Sequence, residues 1–182
     1  MLGAVQSAGA VGGLIGGSVL AAWGGPKKKI HGVLGGWISF GAIGLVFMGL
    51  GQSYWVWMLA SFLMMLVNPM LNGSNQAIWQ SKVAPEVQGR VFSVRAFIAQ
   101  ITAPVSMAIA GPLADKVFEP VMDIPGHWFT GLLGPIVGIG PGARMSFLIL
   151  ISGILVAMVG IGAYQIKQIR DVETLIPDHL EN

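Results

Sequence analysis

The chain has 182 residues, of which 54% are hydrophobic and only 10% are charged, and its mean hydropathy is +0.73. Soluble domains average about 25% charged residues, so this composition excludes an ordinary soluble protein. The few charges are also unevenly spread, because residues 30–81 contain no Lys, Arg, Asp or Glu. Uncharged runs of that length are typical of membrane spans.

The residue inventory excludes several kinds of site. The chain has no cysteine, so it has no disulfide framework, thiolate nucleophile or Cys-ligated metal site. Its three histidines lie far apart, and no paired carboxylates or nucleophile constellation share one membrane depth. We therefore predict no enzyme activity, no catalytic residue, no bound metal and no cofactor. The net charge of +2 accompanies no basic stripe interleaved with aromatic residues, so no nucleic acid partner is predicted.

Five apolar stretches are long enough to cross a bilayer, because a helix needs about 20 apolar residues to span the hydrocarbon core. Cut at turn signals, they cover approximately residues 2–23, 33–50, 54–81, 94–113 and 145–166. The predicted fold class is an all-α integral membrane helical bundle with the lipid bilayer as its surroundings. Residues 1–166 contain this bundle, with a long loop at 114–143, and residues 167–182 form a polar tail.

The basic residues predict how the chain is oriented. Eight of the ten fall on one side of the predicted bundle, and the positive-inside rule places that side in the cytoplasm. The eight are Lys27, Lys28, Lys29, Lys82, Arg90, Arg95, Lys167 and Arg170, whereas the other side has Lys116 and Arg144. We therefore predict a multi-pass inner membrane protein with a cytoplasmic tail and an extracytoplasmic 114–143 loop. The N-terminus then falls outside, which leads us to expect a missing preceding helix.

Polar amides recur along the third span at helical spacing. Asn68, Asn72 and Gln76 follow one another at i, i+4 and i+8, which places them on one face. An amide without a partner in hydrocarbon costs several kcal/mol, so this face must meet protein or water. Two interpretations stay open, namely hydrogen bonds to neighbouring helices and the wall of a water-filled cavity.

The spans divide into two kinds by their polarity. The first and fourth also carry amides or hydroxyls, so the first, third and fourth spans are predicted to line a cavity. The second and fifth contain little beyond apolar residues, glycine and isolated serines, so each can face lipid over much of its circumference. We predict a substrate route formed by Asn68, Asn72, Gln76, Trp79 and Gln100.

Glycines in the first span predict close helix packing. They form two rows at four-residue spacing, one through Gly9, Gly13 and Gly17 and one through Gly12 and Gly16. Such rows let two backbones approach, and they are also compatible with a helix that slides during a conformational cycle. Residues 153–160 of the fifth span contain a weaker version of the pattern.

Two loop segments carry a resemblance to a known family. Residues 83–93 read Val-Ala-Pro-Glu-Val-Gln-Gly-Arg-Val-Phe-Ser, which looks like the Pro-Glu-x-x-Gly-Arg-Val segment of drug and macrolide efflux transporters in the major facilitator superfamily. Residues 17–29 keep the glycines and the basic run of that family's loop between helices eight and nine, but Ala21 and Ala22 replace its acidic and basic residues. With the order of spans, these segments resemble the C-terminal half of such a transporter.

The resemblance implies that the spans are helices eight to twelve of a twelve-helix major facilitator fold. It implies efflux of a small amphiphilic molecule by alternating access, with proton antiport as the energy source and a missing N-terminal half as partner. The five spans offer no ionisable residue near mid-membrane. The proton carrier is therefore expected in the missing half, unless coupling does not use a buried carboxylate.

The loop at residues 83–93 also has a predicted role. Glu86 and Arg90 are spaced for an ion pair if the turn is helical, and Gly89 permits close approach. We predict that these three residues form a cytoplasmic gate, with a plain solvated loop as the alternative. The basic run Lys27, Lys28 and Lys29 is a predicted topology anchor. A function of another class stays open, namely a membrane scaffold or assembly subunit without transport activity.

Overall fold

The computed structural model describes residues 2–113 and 143–179. Within these ranges, five helices are long and apolar enough to cross a membrane, and no strand is present. The five are α1 (Leu2–Trp23), α2 (Lys29–Leu50), α3 (Tyr54–Lys82), α4 (Pro85–Leu113) and α5 (Ala143–Gln165). Two short helices follow, α6 (Lys167–Arg170) and α7 (Val172–Leu175). The predicted all-α bundle with five membrane-spanning helices is confirmed. Of the predicted outer loop at 114–143, residues 114–142, with Lys116, lie outside the described residues.

The boundaries agree with the prediction except where a helix begins among polar residues. Helix α4 starts at Pro85, well before the predicted start near residue 94. Proline is well tolerated in the first helical turn, where its missing N–H has no partner to lose, and Glu86 complements the positive end of the helix dipole. Likewise, α2 begins at Lys29 instead of near residue 33. Charged residues at a helix start are therefore part of the helix, although they lie outside the apolar stretch.

A tight turn separates α1 from α2. Gly24 and Gly25 both have positive φ, 78° and 79°, a backbone region that favours glycine because it has no Cβ. The Gly24 N–H donates to the Leu20 carbonyl at 2.8 Å and so continues the hydrogen bonding of the last turn of α1. The glycine pair thus ends α1 and reverses the chain into α2.

Helix α2 changes its hydrogen-bonding pattern along its length. It is α-helical from Lys29 to Ser39, π-helical from Phe40 to Leu45 and α-helical again from Val46 to Leu50. Two buried glycines of the π-helical segment, Gly41 and Gly44, lie against different neighbouring helices. The segment therefore belongs to the contact region of α2 and not to an exposed bend.

Helix α3 lies between α1 and α2, and glycines form both contacts. On the α1 side, a Cβ placed on Gly9 would lie 2.6 Å from the Ser61 hydroxyl, and one on Gly16 would overlap the Leu66 carbonyl. On the α2 side, a Cβ on Gly36 would lie 2.8 Å from the Leu71 Cβ. These separations leave no space for a side chain, so the helices meet at backbone distance.

The structure separates the two predicted glycine rows of α1. Gly12 and Gly16 are buried against α3 together with Gly9. By contrast, the nearest atom to a Cβ on Gly13 is 3.9 Å away, and Gly17 faces open space among the described residues. The prediction that Gly9, Gly13 and Gly17 form one contact row is therefore wrong beyond Gly9. With 3.6 residues per turn, positions i, i+3 and i+7 share the contact face better than positions i, i+4 and i+8.

Helix α2 also packs on α5, which corrects its predicted exposure to lipid. A Cβ on Gly41 would lie 2.6 Å from the Gly153 carbonyl oxygen, and one on Gly49 would lie 2.7 Å from the Ser146 carbonyl oxygen. The weaker small-residue pattern in α5 is thus part of this contact, as predicted. The exposed side chains of α2 include Trp37 and Phe47. The sequence alone does not show whether α2 packs on α5 or faces lipid, because glycine is compatible with both surroundings.

Replacing Gly16 with alanine tests the α1–α3 contact. The new methyl group would meet the backbone carbonyl of Leu66, so Gly16→Ala is expected to destabilise the bundle by about 1–3 kcal/mol, as overpacking does. Gly17→Ala is the matched control, because it makes the same chemical change where the described residues leave open space. Thermal unfolding in one detergent measures the difference, and equal Tm values for the two variants would contradict the contact.

Candidate functional site

The predicted amide face lies on the second half of α3. Asn72 donates its side-chain N–H to the Asn68 side-chain oxygen at 2.8 Å and to the Asn68 backbone carbonyl at 3.2 Å. Both hydrogen bonds stay within α3. They are therefore not the hydrogen bonds to neighbouring helices that one of the two interpretations of these amides expects. Asn72 and Gln76 are exposed, while Leu71 and Ser74 of the same helix are buried. The amide face is thus a surface that α1 and α2 leave uncovered.

Trp79 continues this surface one turn further along α3. Its ring is 38% exposed and lies under the guanidinium group of Arg95, whose central carbon is 4.5 Å from the ring centroid. The same group lies 5.8 Å from the Phe92 ring centroid. This cation–π contact joins α3 to α4, and it has no signal in the sequence because the two residues approach only when the helices fold back.

Gln100 lies on α4, and the structure does not bring it into contact with the amide face. It is exposed, and none of the hydrogen bonds in the described part of the chain joins it to Asn68, Asn72 or Gln76. Of the five predicted route residues, four therefore share one helix. They are Asn68, Asn72, Gln76 and Trp79.

The predicted loop gate forms the first turn of α4. The turn is helical, but Glu86 and Arg90 are both exposed and form no ion pair with each other in the described structure. The ion pair that was predicted for a helical turn therefore does not form, which agrees with the small free energy that exposed ion pairs contribute. A Cβ on Gly89 would also meet no described atom within 4 Å. No close contact therefore depends on Gly89 in the described chain.

Gln88 is the residue of this loop that makes specific contacts, although no sequence motif points to it. Its side-chain amide donates to the Val83 carbonyl at 2.9 Å and to the Gln80 carbonyl at 3.1 Å. Carbonyls at a helix C-terminus have no partner within the helix, so a side-chain donor that reaches them stabilises the helix end. Gln88 thus fixes the start of α4 against the end of α3.

The predicted topology anchors have local contacts as well. Lys29 donates to the Gly24 carbonyl at 2.9 Å, and the Lys28 ammonium lies 3.8 Å from an Asp171 carboxylate oxygen. Lys27 is exposed. These lysines lie at the same end of the bundle as Lys82 and the tail. We call this end, formed by residues 24–31, 81–90 and 166–179, the basic end.

The opposite end of the bundle contains an apolar cavity of about 380 Å³. It is lined by Leu2, Val5, Met48, Tyr54, Trp57, Met145, Ser146 and Ile149. The Trp57 indole N–H donates to the Gly51 carbonyl at 2.7 Å, which fixes the ring in the wall. The lining contains no Lys, Arg, His, Asp or Glu, so the cavity differs sharply in polarity from the basic end.

The described residues contain no group of three or more His, Asp or Glu side chains placed to hold a metal ion. The exposed polar groups of α3 can instead donate and accept hydrogen bonds next to an aromatic ring. This combination suits a bound molecule that is partly polar and partly apolar.

A double-mutant cycle tests the contact between α3 and α4. Removing either partner of the Arg95–Trp79 pair loses the cation–π attraction, so Arg95→Ala and Trp79→Leu are expected to show a coupling of about 0.5–1 kcal/mol. Arg90→Ala replaces an exposed arginine of the same helix and is expected to show no coupling to Trp79→Leu. Both cycles are measured by unfolding in detergent, and a coupling that is equal in the two would count against the contact.

Comparison with known proteins gives a partial match. The chain is 29% identical over 118 residues to Macrolide efflux protein A of Streptococcus pyogenes, and equally to Macrolide efflux protein A of its serotype M6. The aligned residues are 64% of this chain and 27% of each relative, so the chain spans about a quarter of the length of the curated relatives it matches. No family model and no solved structure matches the chain.

The match and the helices agree with each other. The relatives are named as efflux proteins and not as enzymes, and the chain has five helices suited to a bilayer within its described residues. The predicted resemblance to an efflux transporter is thereby confirmed in its general form. The chain is a multi-pass membrane protein, and part of its sequence is similar to an efflux transporter.

Proposed function

We propose that the chain is part of a transporter that moves a small amphiphilic molecule, of the macrolide class or similar to it, out of the cell. The observation that carries this proposal is the 29% identity to Macrolide efflux protein A over 118 residues. The protein acts in the inner membrane, with the basic end in the cytoplasm. That orientation rests on the eight-to-two distribution of basic residues.

The amide face of α3 forms the substrate route in this proposal. Asn72 and Gln76 are exposed at a position in the helix where lipid contact would be costly, so they face water or a substrate. Trp79 adds an apolar ring at the basic end of the same surface. Gln100, on α4, joins the route when the N-terminal half of the transporter closes the cavity.

The exposed helix α4 supports the presence of a partner segment. No residue from Pro85 to Pro112 is buried, and Val94, Phe97 and Ile98 are 56–64% exposed. In a bilayer such a helix can face lipid, but its amides, hydroxyl groups and inner prolines favour contact with protein or water. We infer that the five helices are helices eight to twelve of a major facilitator transporter and that the N-terminal half packs along α4.

Alternating access and proton antiport complete the proposed mechanism. The two halves rock about a site near mid-membrane, so the substrate is bound from one side and released on the other. The five helices carry no Asp or Glu near the middle of their length in the described chain. The proton-carrying residue is therefore assigned to the N-terminal half.

The substrate route is tested by drug accumulation in cells that express the full-length transporter. The double variant Asn72→Leu, Gln76→Leu removes hydrogen-bonding groups from the route, so accumulated macrolide is expected to rise several-fold. Ser152→Leu is the matched control, because it adds the same side chain at an exposed position of α5. Efflux that is unchanged in the double variant would remove these residues from the route. A transporter without any macrolide efflux would favour the scaffold function instead.

A further inference from the structure

The chain after α5 folds back over the basic end and contacts α2. The Glu173 carboxylate accepts a hydrogen bond from the backbone N–H of Ile30, in the first turn of α2. The residue that precedes α2, Lys28, provides no side-chain cap of its own. A carboxylate at a helix N-terminus satisfies a free N–H group and complements the helix dipole. The tail thus supplies the cap that the sequence around α2 lacks.

The tail also surrounds Lys82 at the end of α3. The Lys82 ammonium lies 2.7 Å from an Asp178 carboxylate oxygen, and it donates to the Glu173 carbonyl at 2.8 Å and to the Ile176 carbonyl. An ammonium group has three N–H donors, so these three acceptors satisfy it completely. The Lys82 side chain is only 12% exposed, which makes unpaired donors costly there. All three acceptors come from the tail.

The Asp178 carboxylate of this contact is ionised at neutral pH. The hydrogen bond from Lys82 is the main cause that holds the pKa of Asp178 below its ordinary value of 3.8. Because the folded-state pKa is lowered, the stabilisation from the Asp178 carboxylate is present at neutral pH and is lost as the pH falls through that lowered pKa. A second ion pair, Lys28 with Asp171, is longer and more exposed.

The hydrogen bonds and ion pairs described above are the specific contacts of the tail. Helices α6 and α7 contain no buried residue, and the apolar side chains Leu175 and Ile176 are 62% and 49% exposed. The Lys28–Asp171 pair is exposed, and exposed ion pairs are weak and are screened by salt. The tail can therefore leave the basic end without exposing a hydrophobic core, which distinguishes it from the glycine contacts of the spans.

We propose that the tail is a releasable latch and that Lys82 is the positioning residue through which it holds the basic ends of α2 and α3 together. Glu173 contacts α2 through its carboxylate and α3 through its carbonyl, so one residue joins both helices. Gln88 in turn fixes the start of α4 to the end of α3. Closing the latch therefore sets the position of the α3–α4 connection, which is the loop proposed as the cytoplasmic gate. Only this last step rests on the proposed function.

The latch is tested by the distance between two spin labels in nanodiscs. The cysteine-free chain permits labels at Ala22→Cys, near the end of α1, and at Leu175→Cys in the tail. The closed latch is expected to give one narrow distance, which Lys82→Ala loses and Lys82→Arg keeps, because arginine still supplies several N–H donors. Lys27→Ala removes a neighbouring exposed lysine and is the control. An unchanged narrow distance in Lys82→Ala would overturn the latch.

A variant in the tail covers the case in which Lys82→Ala does not fold. Asp178→Ala leaves every spanning helix intact and is expected to broaden the same distance, whereas an unchanged distance would again overturn the latch. The coupling to transport is measured separately in the full-length protein. There Lys82→Ala is expected to change the maximal efflux rate but not the substrate concentration at half-maximal rate, and Lys82→Arg is expected to restore it. If the unmodified protein shows no efflux, the proposed function fails while the distance measurement still decides the latch.

Discussion

The close approach of α1 and α2 to α3 is the constraint on which the rest of this structure depends. In a bilayer, apolar side chains gain little free energy by exchanging lipid contacts for protein contacts, so helices associate through close packing and polar contacts. Here the packing is made by glycines, with Gly12 and Gly16 on one side of α3 and Gly32 and Gly36 on the other. Because α3 is held on these two sides, its amide face remains uncovered and the residues of the proposed route are displayed together.

The sequence predicted the spans well because bilayer thickness sets their length. The predicted limits of α1 are those of the structure, and α3 differs by one residue. The start of α4 was missed because Glu86 and Arg90 interrupt the apolar pattern that defines a span, although neither of them interrupts the helix. Hydropathy thus reports where lipid contact is possible, while the backbone continues past that limit.

The candidate site was predictable only in part. The i, i+4 spacing identified the Asn68–Asn72 pair, because both residues belong to one helix and periodicity fixes their relation. Contacts between elements distant in sequence had no such signal. Arg95 of α4 meets Trp79 of α3, and Lys82 meets Asp178 from the far end of the chain. The glycine rows of α1 were predicted in part. Their spacing indicated that α1 packs closely on a neighbour, but only the position of α3 determines which glycines form the contact.

The π-helical segment of α2 has a consequence for how this helix serves two neighbours. A regular α-helix turns by about 100° per residue, so one residue inserted into a turn rotates everything beyond it by that angle. In α2 the glycines before the segment, Gly32 and Gly36, face α3, and Gly49 beyond it faces α5. At about 100° per residue, the residues between Gly36 and Gly49 already place these two glycines on different faces, and the wide turn at Phe40–Leu45 changes the angle between them. The intervening residues and the widened turn together therefore set which helix each end of α2 faces.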